Sequence, residues 1–563
     1  MSRTIEYRLS WWSLFLVLSI GPSILTAQSC DSDNSEVLVS EHYRAPLQFG
    51  SLWGPGGYRS DSIDFTPTLL GEARIVLGGF FPDGYLQVIS ERLQPDVFVP
   101  GPIPPDSSVP DSTLCNYFDR FWRITETQIQ QHQNDLADGN LDDPIPEIME
   151  WPGRGNPLLP SLPLDMPLAP FLDLNGNNVY EPQLGEYPSL PRQPANLPVL
   201  APTEMVWWMF SNANDMHSEL RVNFGCTAYQ LDGSDDEVLD RTSFYLIEVN
   251  NRSVQNLDST YLALEITPQL GCPSDDYMGF SEYSNLYFYN ADETDGISEN
   301  CTCDVNPPPF CETPPVVGLQ FIRGLQRFVF LPGTTLIADT LGSGVEYLTY
   351  SRDYGGDTPP GTTHPANYWE MYNYLSGSWR DSSPLTFGED GYQQSEPTNR
   401  VFPGNPAHPG SWSMGNAGEQ PGHFRAYMSS YTNYFPIGES NYLLFGVTEF
   451  PDVGATPDFI PLNYLMDQNV SRTHDRWNLV ESDQLTHLME PVVIYPNPTT
   501  REFTVTIDHV SIQRIEIYST QGQQIHNSST TTIRLPESLP AGLYLVRAID
   551  ELGKSHTGRV LLQ

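Results

Sequence analysis

The sequence predicts a mostly β, multi-domain protein: an antiparallel, sandwich-like body with few helices, followed by a C-terminal immunoglobulin-like sandwich. Three observations carry this. Aromatic residues make up 12% of the 563 positions and recur in short alternating runs, which suit pleated surfaces. The 51 prolines and 43 glycines require many turns between short elements. One stretch has a clear helical start, "ITETQIQQHQNDLA" (124–137), where Thr125 and Gln128 fit a capping box and Ile124 a hydrophobic staple.

Residues 1–27 read as a signal peptide. Arg3 and Arg8 precede the apolar run "WWSLFLVLSI" (11–20), and small residues lead to a cleavage site after Ala27. Residues 28–150 form a β-rich region, with "ARIVLGGFF" (73–81) and "YLQVIS" (85–90) ahead of a Pro-rich loop and the helix. Residues 151–203 hold Pro and Leu without periodicity, as expected of an irregular connection packed along a surface. Residues 204–480 are a second β-rich region. Its strands are "EMVWWMF" (204–210), "SFYLIEV" (243–249), "STYLALEI" (259–266), "NLYFYN" (285–290), "QRFVFL" (326–331) and "NYLLFGVTEF" (441–450). A helix is expected within 363–377 and a linker at 481–491. Residues 492–563 resume with six short strands at regular spacing, the pattern of a small sandwich.

Net charge is -43. Such a surface repels phosphate backbones, so nucleic acid is excluded as a partner and cations are favoured. Of the 27 basic residues only Lys554 is a lysine. A salty working environment and a genomic composition bias explain this equally well. Beyond the signal peptide no segment reaches the ~20 apolar residues of a membrane helix.

Seven cysteines are present. In an oxidising compartment disulfides are the default, and an odd count leaves one thiol unpaired or paired between chains. Cys272, Cys301, Cys303 and Cys311 are read as two disulfides bracing "CTCDVNPPPFC", in preference to a four-thiolate zinc site. Cys30 as a lipidated first residue fits "TAQSC" poorly.

The sharpest metal candidate is "DLNGNNVYE" (173–181). Asp173, Asn175 and Asn177 alternate oxygen side chains, Val179 offers its carbonyl, and Glu181 follows, a donor set suited to Ca2+. The glycine falls at 176 and not at the sixth loop position, and Leu184 stands at the twelfth where an EF-hand needs Glu, so the loop is a looser one, with Glu186 as a further donor. The alternative is a run of Asx turns bonding their own backbone. "SDDYMG" (274–279) is also acidic, but "TPQLG" (267–271) before it supplies Thr267 and Gln269 where carboxylates would help, which weighs against a metal there. H-E-x-x-H, G-x-S-x-G and glycine-rich phosphate loops do not occur. His217 and His423 lie near aromatic runs and read as packed or surface histidines. The 70 acids allow carboxylate pairs for glycoside cleavage without singling one out.

Three features of the tail come in a fixed order. They are "YPNP" (Tyr495, Pro496, Asn497, Pro498), a hairpin "IEIYSTQGQQI" around Gly522, and "LPAGLYLVRA" with Gly542, Leu543 and Tyr544. The tail resembles the type A C-terminal sorting domain of type IX secretion cargo in Bacteroidota. The family usually ends in a lysine-rich strand, where this chain has Arg559. The resemblance implies passage through the periplasm, recognition by the outer-membrane translocon and sortase-like machinery, and release or attachment to surface lipopolysaccharide. In the body, "CNYFDRFWRIT" (115–125), "WPGRGN" (151–156), "APFLDLNGNNVYEPQLGEYP" (169–188), "WWMFSN" (207–212) and "SDDYMGFSEYSNLYFYN" (274–290) are similar to a group of large secreted Bacteroidota proteins with the same tail. That group carries no activity over. The reading is an exported surface or secreted protein, structural or adhesive rather than enzymatic. The alternatives are a glycosidase-like hydrolase, marked by a cleft of converging carboxylates, and a glycan-binding protein, marked by an aromatic strip.

Overall fold

The computed structural model describes residues 30–562 except for internal stretches, the longest being 192–201, 296–309 and 468–491. The body is built on two antiparallel sheets, each of nine strands among the described residues. The first runs in the order Ser35–Val39, Tyr43–Gln48, Tyr58–Ser60, Thr68–Phe80, Leu257–Pro268, Phe424–Phe435, Tyr347–Arg352. The second runs Asp276–Phe280, Leu286–Asn290, Val316–Arg323, Ser440–Phe450, Thr242–Asn251, Val222–Gln230, Glu204–Ser211, Val99–Pro100. Strands from 28–150 and from 204–480 thus share both sheets. The long central pairings explain this: Thr68–Phe80 runs beside Leu257–Pro268, with Ile75 opposite Leu264 and Leu77 opposite Leu262.

The sheets close on each other. Trp53 of the first donates its indole N–H to the Tyr245 hydroxyl of the second at 3.1 Å, and Phe424 stacks on Phe288 at 6.5 Å. Alternation then sends Trp208 into this core and Trp207 to the opposite face of its sheet. Both outer faces are covered as well, so strands such as Glu204–Ser211 are almost wholly buried and read as continuous apolar runs. Over the second sheet lie Phe118, Trp122, Ile148, Trp151, Leu172 and Tyr180, drawn from the 112–190 region. The Pro-rich connection is held there by backbone capture: Trp151 donates to the Pro170 carbonyl and Tyr180 to that of Ile148, at 2.9 and 2.8 Å. Over the first sheet lies the helix Tyr368–Leu375, whose Tyr374 ring stacks on Tyr427 at 5.1 Å.

The helix near 125 forms over Glu126–Asp135, and both arms of its capping box are present. "QRFVFL" behaves differently from the other expected strands. Its Arg327–Val329 segment pairs with Ile337–Asp339 in a separate ribbon. The tail is a small sandwich of three strands (Val492–Tyr495, Glu502–Ile507, Thr532–Arg534) and four (Gln524–Ser528, Ile512–Ser519, Gly542–Asp550, Ser555–Leu562). Its core holds Phe503, Val505, Ile517, Ile533, Val546 and Val560. The signal-peptide residues and the 481–491 linker lie outside the described residues. Among the described residues no helix is long and apolar enough to cross a membrane.

Candidate functional site

Four places gather chemistry-bearing side chains. In the tail, Tyr495 ends the first strand with its side chain 77% exposed. Pro496, Asn497, Pro498 and Gly522 lie outside the described residues. Gly542 and Leu543 open the strand Gly542–Asp550, and Gly542 has φ +153°, a conformation that side chains disfavour. The Tyr544 hydroxyl donates to the Pro540 carbonyl at 2.7 Å, fixing the turn before that strand. Buried Glu516 accepts from the Tyr518 hydroxyl at 2.8 Å and pairs with Arg514 and Arg547. These contacts shape a surface and offer no reactive group.

The 173–181 loop is closed by its own backbone. Asp173 accepts the N–H groups of Gly176 and Asn178, both at 2.7 Å, while Asn175 and Asn177 accept from Asn177 and Val179. The two carboxamides turn their NH2 groups on Glu181, at 2.9 and 2.8 Å. Fully buried Glu186 ties the base by accepting from Leu174 and Glu181, and burial pushes its carboxyl up from the ordinary range. The side chains of Asp173, Asn175, Asn177 and Glu181 are thus linked within the loop by Asx-type bonds to its backbone and by bonds to one another. The side-chain oxygens of Asp173, Asn175 and Asn177 each accept one N–H and keep a lone pair, whereas Glu181 Oε2 accepts two.

Beside the edge strand Asp276–Phe280 a second acidic group forms. Cys272, Asp275 and Asp295 each present an atom within 4.8 Å of the others'. Asp295 is a member the sequence did not suggest, because it lies 20 residues past Asp275 in "ADETDG". Cys272 and Cys311 each take part in a disulfide, so the Cys272 sulfur is no thiolate. Cys301 and Cys303 lie outside the described residues. Elsewhere Cys30 pairs with Cys115, which occupies the sulfur considered for lipidation, and Cys226 is a buried free thiol.

The fourth place is on the outer face of the first sheet beside the helix Tyr368–Leu375, whose Tyr374 hydroxyl donates to the Thr363 carbonyl at 2.7 Å. Glu265 is fully buried between Arg92 Nε at 2.5 Å and Arg425 Nε at 3.7 Å. Nearby, His364 Nδ1 lies 2.6 Å from Ser351 Oγ and its Nε2 lies 2.9 Å from Asp353 Oδ1. Burial, and then the charge of Arg425, push His364 down to about 4, so the ring is neutral near pH 7. The connectivity is that of a nucleophile, a base and an orienting carboxylate. Yet Ser351 is fully buried and its oxygen also meets the Tyr427 hydroxyl at 3.0 Å. A hydroxyl so enclosed reaches no external substrate. These contacts act as a latch that ties Asp353 and His364 to the strand bearing Ser351. No sequence signal marks it, since its members lie on a strand and a loop with no motif spacing. His423, by contrast, is exposed, and His217 lies outside the described residues.

The fold and these sites define an exported β-sandwich protein that carries its address as a separate module. Residues 493–563 match the secretion system C-terminal sorting domain family. The protein is thus delivered by the type IX machinery, which engages this tail, to the cell surface or beyond it. No curated protein matches the chain. Among solved structures, a polysaccharide lyase aligns over 64% of this chain and 35% of its own, at 8% identity and a TM-score of 0.19. The glycoside hydrolase domain of Endo-D from Streptococcus pneumoniae R6 aligns over 64% and 38%, at 8% identity and a TM-score of 0.14. The chain spans little more than a third of either, and likeness at that level carries no argument about activity.

Proposed function

We propose that the protein is a non-catalytic component of the outer cell surface or secreted matrix, with a structural or adhesive body addressed by its tail. The sorting domain at 493–563 carries this reading. The enclosed hydroxyl of Ser351 supports the non-catalytic part, because the chain that most resembles a nucleophile relay is sealed. In this reading calcium braces the 173–181 loop through Asp173, Asn175, Asn177, Val179 and Glu181. Surface lipopolysaccharide is the anchor for whatever fraction is retained. Deleting residues 492–563 is expected to trap the protein in the periplasm, scored by immunoblot of cell fractions. Normal surface display of the truncated chain would sink the proposal.

A second reading, contact with glycans, is favoured by one observation. Trp369, in the first turn of the helix Tyr368–Leu375, is 59% exposed beside Phe80, with ring centroids 5.9 Å apart. Exposed tryptophan rings stack on sugar faces. Trp369→Ala is expected to abolish retention on a polysaccharide array while leaving the melting temperature within a degree or two. Retention unchanged by the substitution would remove this reading.

A further inference from the structure

We propose that Arg92 and Arg425, on the outer face of the first sheet, form a binding site for the carboxylate group of a small, singly charged ligand. The two side chains come from separate places, Arg92 from the turn after the strand Leu86–Ser90 and Arg425 from the strand Phe424–Phe435. They meet over Glu265, whose Oε1 lies 2.5 Å from Arg92 Nε and 3.7 Å from Arg425 Nε. Strand register explains the meeting. Glu265 lies opposite Tyr427, and alternation sends Arg425 to the same face as Tyr427.

The pair is short of acceptors. A guanidinium carries five N–H donors. Arg92 gives one of them to Glu265 and holds another 3.9 Å from Glu72, while the Arg425 side chain donates no hydrogen bond among the described residues. Other arginines of the body are better served. Arg123 donates to Glu204, Glu36 and the Val37 carbonyl, and Arg380 to both oxygens of Glu370 and to Thr363. With 70 acidic and 27 basic residues, a shortage of carboxylates is not the reason. Nor do the two groups stand in open water, since each side chain is only 20% exposed. Two like charges held side by side, part-buried and with donors to spare, are costly to keep and are relieved by an anion.

Charge decides which anion. Two guanidiniums stand over one buried carboxylate, which leaves one positive charge unmatched. The other acids nearby are engaged: Arg74 holds Glu72 and Glu91 at 2.8 and 3.3 Å, and Asp353 meets the His364 ring at 2.9 Å. A single carboxylate matches the remaining charge, and its two oxygens suit the planar fork of a guanidinium. A dianion such as phosphate meets the charge of Glu265 beneath it, and a polyanionic chain meets the net charge of -43.

The test titrates the mature full-length protein with sodium acetate and with sodium glucuronate by calorimetry, with melts run in parallel and with glucose and inorganic phosphate as controls. Wild type is expected to give a saturable heat and a rise in Tm with a carboxylate, both weakened by sodium chloride, and neither with glucose. Arg425→Gln should weaken that binding by about tenfold or more, the loss of one charge-assisted contact. Arg425→Lys should recover part of it. Without ligand Arg425→Gln should melt within a degree or two of wild type, because the side chain it replaces donates no hydrogen bond. Arg92→Lys, which keeps a charge beside Glu265 and loses the fork, should weaken binding with the fold intact. The proposal is overturned if neither carboxylate binds wild type, if Arg425→Gln keeps the affinity, or if phosphate binds as tightly as the carboxylates. A large fall in the unliganded melting temperature of Arg425→Gln would make this arginine a structural counter-charge to Glu265, and the site would fall with it.

Discussion

His364 shows how one side chain sets a pH dependence. An imidazole ordinarily titrates near 6.5, whereas burial and Arg425 hold this one at about 4 in the folded chain. Between those values the unfolded chain binds a proton that the folded chain refuses. Stability therefore falls as pH drops through that window, by at most about 1.4 kcal/mol per unit for this group. Arg92 and Arg425 oppose protonation, while Asp353, more exposed, favours it. His364→Gln should flatten this acid loss, read from urea midpoints at about pH 7 and about pH 5. Parallel losses in variant and wild type would contradict a neutral buried ring. The network itself was not legible beforehand. Ser351, Asp353 and His364 look ordinary in sequence, and Tyr427 and Arg425 join them only through strand pairing.

At the scale of elements, the disulfide between Cys30 and Cys115 staples the segment before the first strand to the helix Ser112–Phe118. It closes a loop of 85 residues. Restricting an unfolded loop of that size stabilises the fold by about 4–5 kcal/mol in the chain-entropy view. A Cys30→Ser, Cys115→Ser double variant should lose stability of that order in chemical denaturation. A loss below about 1 kcal/mol would mean the unfolded chain is already compact there. Helix signals fared well at this scale: the capping box at Thr125 is local chemistry, so four neighbouring residues suffice to announce it. Strand neighbours did not announce themselves. Val222–Gln230 and Phe424–Phe435 lie inside their sheets with a strand on each side, yet Gly, Asn, Ser and Thr interrupt their apolar pattern because polar side chains are satisfied within the fold.

For the whole molecule the strongest influence outside the core is charge. A net charge of -43 makes the folded state repel itself more than the expanded one does. The melting temperature should rise between about 0.01 and 0.1 M sodium chloride, where the screening length falls from about 30 to about 10 Å. Insensitivity to salt would mean that bound cations already offset the charge, and repeating the melt in chelator separates the two. The body and the tail form separate cores, so the address is a module of its own.

The sequence by itself determined the β class, the capped helix and the tail that sends the protein out of the cell. Each is written in residues close together in the chain: alternation, a four-residue cap, short motifs in order. Only the tertiary structure decided that 28–150 and 204–480 build one pair of sheets, that Cys30 meets Cys115, and that Asp295 comes beside Asp275 and Cys272. These depend on which strands lie side by side. Sequence spacing sets the period of a strand, but not its neighbour across the sheet.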